Sequence, residues 1–188
     1  HNFRQLAKDL VSQRIGLRPI RVPRAIRPVT ENQGYLLQSE VEKLLINSGI
    51  GSRVGHKIGC TTSVMQDFLG IPNPCAGLIF EKSRVFDSIE VPREGFIKLG
   101  VECEIAALVG VDLKCHDGPF NITTINKYID SLMVAIELVD DRYESYTDLG
   151  VSTLIGDNFF NSGCILGPPF KDWRNLDLRN VVGLSLIH

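Results

Sequence analysis

Two glutamates one residue apart, Glu102 and Glu104, interrupt the apolar run Ile97–Leu99–Val101–Cys103–Ile105–Ala107–Val109, and a third, Glu137, sits alone in Met133-Val-Ala-Ile-Glu-Leu-Val139. In an extended strand alternate side chains share a face, so Glu102 and Glu104 point the same way with Cα atoms roughly 6–7 Å apart. Two bare carboxylates at that spacing repel by about 2–3 kcal/mol at an effective dielectric near 20, and burial adds several kcal/mol per ion. A wet face of an antiparallel strand would relieve that cost. Against this, Gly100, Ala106, Leu108 and Gly110 on the same face are small or apolar, and Glu137 is flanked on its own face by Ala135 and Val139. Three acids on otherwise apolar strands are the oxygen-only donor set of a hard divalent cation, with water or substrate completing the shell.

Lys57 lies in Val54-Gly-His-Lys-Ile-Gly-Cys-Thr-Thr62, a short strand closing into a hydroxyl-rich turn. A helix starting at Thr61, Thr62 or Ser63 would present free N–H groups to a carboxylate or phosphate, with Lys57 as proton donor or anion anchor. His56 falls on the opposite face and reads as peripheral. After Glu137 come Asp140, Asp141 and Arg142, either an ion pair at a strand end or a group that orients Glu137 and binds a substrate carboxylate. Gly156-Asp-Asn-Phe-Phe-Asn-Ser-Gly163 is a loop or a lid that brings Asp157 and Asn158 to the site. No GxGxxG, GxSxG, HExxH or phosphate-loop motif is present, so dinucleotide, serine-hydrolase, zinc-protease and NTPase chemistry lack their anchors.

The elements that must position these groups are partly written in the pattern. A helix is expected over about residues 2–15, followed by an extended, proline-interrupted segment to Pro28 that carries Arg14, Arg18, Arg21, Arg24 and Arg27 on or beside it. Thr30 caps a second helix with Leu37, Val41, Leu44 and Leu45 at helical spacing, stopped by Gly49 and Gly51. Val54 to Ile58 is a strand, and the brief helix after it pairs Val64/Phe68 and Met65/Leu69 before Gly70, Pro72 and Pro74. Strands are expected at Leu78–Phe80, Arg84–Val91, the glutamate segment to about Val111, Cys164–Leu166 and Val181–Ile187. Asn121 to Met133 reads as a helix, with Ile122, Ile125, Ile129, Leu132 and Met133 on one side. Helices in front and strands behind make an α+β protein, one domain over 1–188 with a helical N-terminal region (1–51) and a strand-rich core (52–188).

With 188 residues, 44% hydrophobic, 22% charged and a net charge of −2, the chain has no basic balance for nucleic acid. No apolar run reaches the roughly 18 residues of a membrane-spanning helix. Five cysteines without CxxC spacing point to reduced thiols in a cytoplasmic protein. The sequence stops inside the strand-like Asn180–His188, which reads as a truncation.

In order, Gly34-Tyr-Leu-Leu-Gln38, Gly55-His-Lys-Ile-Gly-Cys-Thr-Thr62, Gln66 with Leu69-Gly70, Val101-Glu-Cys-Glu-Ile-Ala106, Ala135-Ile-Glu-Leu-Val-Asp-Asp-Arg142 and Gly156-Asp-Asn158 leading to Gly163-Cys-Ile-Leu-Gly167 resemble the fumarylacetoacetate hydrolase superfamily. Within it the resemblance is to the branch of 2-keto-4-pentenoate hydratases and 4-oxalocrotonate decarboxylases. It implies a mixed β-roll of twisted sheets with a helical N-terminal region, homo-oligomers built from dimers, Mg²⁺ or Mn²⁺ held by Glu102, Glu104 and Glu137, and proton transfer by Lys57. The activity it implies is hydration of a 2-hydroxy-2,4-dienoate or 2-oxo-4-enoate to a 4-hydroxy-2-oxo acid, with Thr61, Thr62, Arg142 and Asp157 as candidate substrate-binding residues. Decarboxylation of a 2-oxo-3-enedioate and acylpyruvate-type C–C hydrolysis are alternatives on the same scaffold, and a non-catalytic subunit is another. The chain departs from the pattern at Cys75, where the better-known hydratases carry an aspartate.

Overall fold

The computed structural model of the chain describes residues 3–184. Helix α1 (Arg4–Ile15) buries Leu6, Ala7, Leu10 and Val11, one stripe at helical spacing. Helix α2 (Glu31–Leu45) starts where Thr30 accepts a hydrogen bond from the Gln33 N–H, while the Gln33 side chain accepts one from the Val29 N–H. The first contact satisfies an N–H that the opening helical turn leaves orphaned, and the second fixes the chain just before the cap. Its buried face, Leu37, Val41 and Leu45, packs with α1 and with Leu154 and Ile155 of α4 (Val151–Gly156). Past α2 a wider helical turn over Ile46–Ile50 follows, and the helical run stops at glycines as the sequence predicts: Gly49 and Gly51 take φ of 92° and 90°, which a side chain disfavours.

Two sheets carry the strands. Strands β1 (Arg53–Gly59) and β2 (Cys75–Phe80) form an antiparallel pair, joined by α3 (Ser63–Leu69). Thr62 caps α3 by accepting from the Met65 N–H, and Gly70 closes it in the left-handed conformation. The second sheet has the order β3-β6-β5-β4: β3 (Arg84–Phe86) runs parallel to β6 (Asn161–Leu166), and β5 (Ile129–Asp140) runs antiparallel to both β6 and β4 (Leu99–Val109). This is the α+β class expected, with a mixed sheet; among the described residues the strands form two open sheets and no closed barrel.

Several expectations are corrected. Residues 121–133 are not a helix: only Ile125–Lys127 forms a 3-10 turn, and the chain enters β5 at Ile129. Ser131, Leu132 and Met133 are all buried, since β4 pairs along one edge and Phe170 bridges Leu132 on the other. That pairing overrides a 3.6-residue spacing of apolar side chains, because strand partners distant in sequence satisfy the backbone. Strand β3 stops at Phe86, where Asp87 turns to φ 66°. The segment after α1 is extended, yet Ile20 and Val22 are buried, with Ile20 bridging Tyr143. Residues 181–184 carry no strand, and the rest of that expected strand lies outside the described residues.

Helices α2 and α4 meet at glycines: a Cβ on Gly34 would lie 2.6 Å from the Ser152 carbonyl oxygen, and one on Gly156 would collide with Leu37. Gly34→Ala should therefore lower stability by roughly 1–3 kcal/mol through overpacking, outweighing a helix-propensity gain of at most ~1 kcal/mol. A lower urea midpoint at unchanged slope is the expected reading.

Candidate metal centre

Strand register brings the acids together. Glu102 on β4 is directly opposite Glu137 on β5, and Glu104, two residues on, is opposite Ala135. The same face is therefore charged three times, and one carboxylate oxygen from each of Glu102, Glu104 and Glu137 lies within 4.8 Å of the others. Like charges directly opposite on adjacent strands destabilise a sheet. Burial, then the Glu137 and Glu102 charges, push the Glu104 carboxyl above its ordinary range, with Lys57 pulling it the other way.

The burial of the cluster is uneven. Glu137 is 4% exposed, as the sequence predicts for a buried strand. Glu102 and Glu104 are exposed, which corrects the expectation of a dry pocket around all three. Strand β4 is the sheet edge: among the described residues it pairs only with β5, and its two glutamates are both exposed. The cluster thus has a dry floor at Glu137 and an open side at β4.

Lys57 reaches this floor from the other sheet. It is paired in register with Gly77 on β2, and its stem crosses that glycine so closely that a Cβ there would stand 2.8 Å from Lys57 Cγ and Cδ. Its ammonium ends 3.2 Å from Glu137 Oε1 and donates to the Phe159 carbonyl at 3.2 Å. That carbonyl belongs to an unusual turn: Asn158, Phe159 and Phe160 have φ of 66°, 49° and 66°. Left-handed backbone costs roughly 1–2 kcal/mol per non-glycine residue, so the turn needs external support. Asn158 supplies it by accepting from the Leu78 N–H at 2.5 Å and donating to the Leu78 carbonyl at 2.8 Å.

Arg142 and Asp157 face each other rather than the acids. The Arg142 guanidinium donates to Asp157 Oδ2, the Phe160 carbonyl, Ser162 Oγ, the Asp157 carbonyl and the Asn161 carbonyl. A guanidinium has five N–H groups, so each one is used within the protein. Tyr143 donates to the same Asp157 oxygen at 2.8 Å. Instead of presenting a fork to a substrate, Arg142 ties the turn at 158–160 to the start of β6. Thr61 and Thr62 lie exposed at the β1–α3 turn; Thr62 Oγ1 accepts from Met65 and keeps its own O–H to donate. His56 is exposed on the far face of β1, as expected.

Three contributors are absent from the sequence-based set. Asn161 Nδ2 donates to Glu137 Oε1 at 2.8 Å, Phe159 acts through its carbonyl, and Gly77 acts by having no side chain. Nothing in the sequence, where Asn161 stands between Phe160 and Ser162, links it to Glu137. Cys75 is buried, and burial followed by the neighbouring Cys60 and Glu31 pushes its thiol up to about 12. Burial also raises Cys60, opposed by Lys57.

The donor set fits a hard divalent cation: three carboxylates converge, and Lys57 provides a single compensating positive charge in contact with one of them. Because the folded state holds a proton on Glu104 more tightly than the unfolded chain, the metal-free protein should lose stability as pH rises from the ordinary glutamate range through the raised value. Glu104→Gln should remove that slope and raise the metal-free melting temperature at neutral pH, with no gain well below the ordinary range. Thermal melts across pH in chelator check this.

No family model matches the sequence. Among curated proteins it is 33% identical over 164 residues to the 2-oxo-hept-4-ene-1,7-dioate hydratase of Escherichia coli, covering 83% of this chain and 59% of that one. It is 30% identical over 156 residues to the 2-keto-4-pentenoate hydratase of Paraburkholderia xenovorans, covering 82% and 56%. The chain thus spans little more than half the length of these relatives. In fold it matches the 4-oxalocrotonate decarboxylase from Pseudomonas putida G7 complexed with magnesium and adipate, with a TM-score of 0.83 at 23% identity over 94% of this chain and 66% of that one. The ordered motifs, the paired glutamates and the likeness in sequence agree: the chain belongs to the fumarylacetoacetate hydrolase superfamily, beside the 2-keto-4-pentenoate hydratases, and it shares its fold with the 4-oxalocrotonate decarboxylase.

Proposed function

We propose that this chain carries the metal centre of a hydratase that adds water to a 2-hydroxy-2,4-dienoate or 2-oxo-4-enoate and yields a 4-hydroxy-2-oxo acid. The observation that carries the reading is the convergence of Glu102, Glu104 and Glu137 within 4.8 Å with Lys57 seated on Glu137. These three glutamates would hold Mg²⁺ or Mn²⁺. The ion, when bound, supplies Lewis-acid stabilisation of negative charge on a 2-oxo acid. Lys57 has three N–H groups: one donates to the Phe159 carbonyl, while the ammonium is held against Glu137 as an ion pair. An N–H outside the Phe159 bond would deliver a proton to substrate carbon. Thr61 and Thr62 would donate hydroxyls to the substrate carboxylate, and Arg142 with Asp157 would hold the site from behind. The exposed β4 side gives substrate and water a path to the acids.

Cys75 favours a second reading, decarboxylation of a 2-oxo-3-enedioate. Its buried thiol stays neutral at physiological pH, so the position supplies no base to activate water, and loss of CO₂ needs none. The magnesium and adipate bound by the decarboxylase of similar fold support a divalent ion and a dicarboxylate for the same scaffold. Homo-oligomers built from dimers are proposed as well; the exposed Val101, Ile105 and Val134 on one sheet face are the surface they would cover.

Product analysis with a dienoate, a 2-oxo-3-enedioate and an acylpyruvate separates the reactions. The expected outcome is Mg²⁺-dependent formation of the 4-hydroxy-2-oxo acid, abolished by chelator and reduced about 10²–10⁴-fold in kcat by Lys57→Met. Turnover indifferent to chelator would overturn the reading, and tight Mg²⁺ binding without turnover of any substrate would leave a binding subunit. Sedimentation velocity tests assembly: a monomer at all concentrations rejects it.

A further inference from the structure

Glu137 is held by more than its own strand. Its Oε1 faces the Lys57 ammonium at 3.2 Å in an ion pair and accepts a hydrogen bond from the Asn161 amide at 2.8 Å. Oε2 takes no hydrogen bond among the described residues. The amide must present nitrogen here, because its oxygen would face a carboxylate oxygen. Asn161 is itself fixed: it is 1% exposed, it opens β6 at the edge of the left-handed turn, and its carbonyl accepts from Arg14 Nη2 and Arg142 Nη2, both at 3.0 Å. Arg14 comes from the last turn of α1, so the N-terminal helix is wired to the acid cluster through this one residue.

We propose that Asn161 is a positioning residue for Glu137: it fixes the rotation of the carboxylate so that Oε1 stays with Lys57 and Oε2 alone is offered to the cation. The inference rests on the reading of the three glutamates as a metal centre. Without the amide, Oε1 would keep only the ammonium, a flexible point charge that does not define the carboxylate plane. The two oxygens could then exchange, and a bound ion would compete with Lys57 for both. Removing a group that orients a ligand typically weakens metal binding by 10–100-fold.

The test is calorimetric titration of the metal-free full chain with Mn²⁺. Asn161→Ala should weaken binding about 10–100-fold, whereas in a Glu137→Gln background the same change should alter affinity by less than about 2-fold, because the group it orients is already gone. Asn161→Ser keeps a polar group at the start of β6 but is too short to reach Glu137; it carries the same expectation should Asn161→Ala not fold. Equal weakening in both backgrounds would mean a general structural role and would overturn the proposal. So would wild-type affinity in a folded Asn161 variant. If Mn²⁺ binding is absent from wild type, or survives Glu102→Gln undiminished, the metal-centre reading itself fails; tight binding lost in Glu102→Gln but kept in Asn161→Ala sinks only the role of Asn161.

Discussion

Three carboxylates whose oxygens lie within 4.8 Å of one another set the terms for everything around them. At an effective dielectric near 20 each pair repels by roughly 3 kcal/mol, and the strand register that creates the pair Glu102/Glu137 offers no way to relax it. One lysine answers that charge, and it has to come from the other sheet. Its path exists because Gly77 has no side chain to block the stem, and its end point is fixed because a strained turn aims the Phe159 carbonyl at the ammonium. A site of this kind stores unfavourable electrostatics that a divalent cation would release.

The strained turn is in turn held by a buried ion pair. Arg142 and Asp157 are 1% and 0% exposed, and Arg142 spends every donor on residues 157–162. Buried ion pairs seldom add much net stability, because desolvation offsets the attraction; their value here is geometric. Arg142 and Asn158 clamp three consecutive left-handed residues, and those residues aim one carbonyl at Lys57 and deliver Asn161 to Glu137. Strain of several kcal/mol is thereby kept next to the acids, where rigid placement matters for ion binding.

Asymmetry of burial divides the labour within the cluster. Glu137 and Lys57 form a nearly dry floor, with side chains 5% and 10% exposed, while Glu102 and Glu104 stand on an open edge strand. Low local dielectric strengthens the Lys57–Glu137 contact. The open edge leaves the other two carboxylates accessible to solvent. Cys75 sits on the dry side as a neutral thiol and contributes packing rather than charge.

Residue parity alone put Glu102 and Glu104 on one face, and local chemistry alone marked the helix start at Thr30, a second start within Thr61–Ser63 and the stops at Gly49, Gly51 and Gly70, because alternation and capping depend only on near neighbours in the chain. The order of motifs likewise carried the family. What the sequence could not determine is pairing across long separations. Apolar spacing in 121–133 suggests a helix, yet pairing with β4 draws residues from Ile129 into a strand. Arg142 looks ready for a substrate until Asp157 and four other acceptors take its donors. Whether a glutamate is dry or wet depended on which strand became the edge, and the grip of Asn161 and of the Phe159 carbonyl on the site arises from contacts 24 and 102 residues apart. Such contacts are selected by the total packing of the chain, which no local pattern encodes.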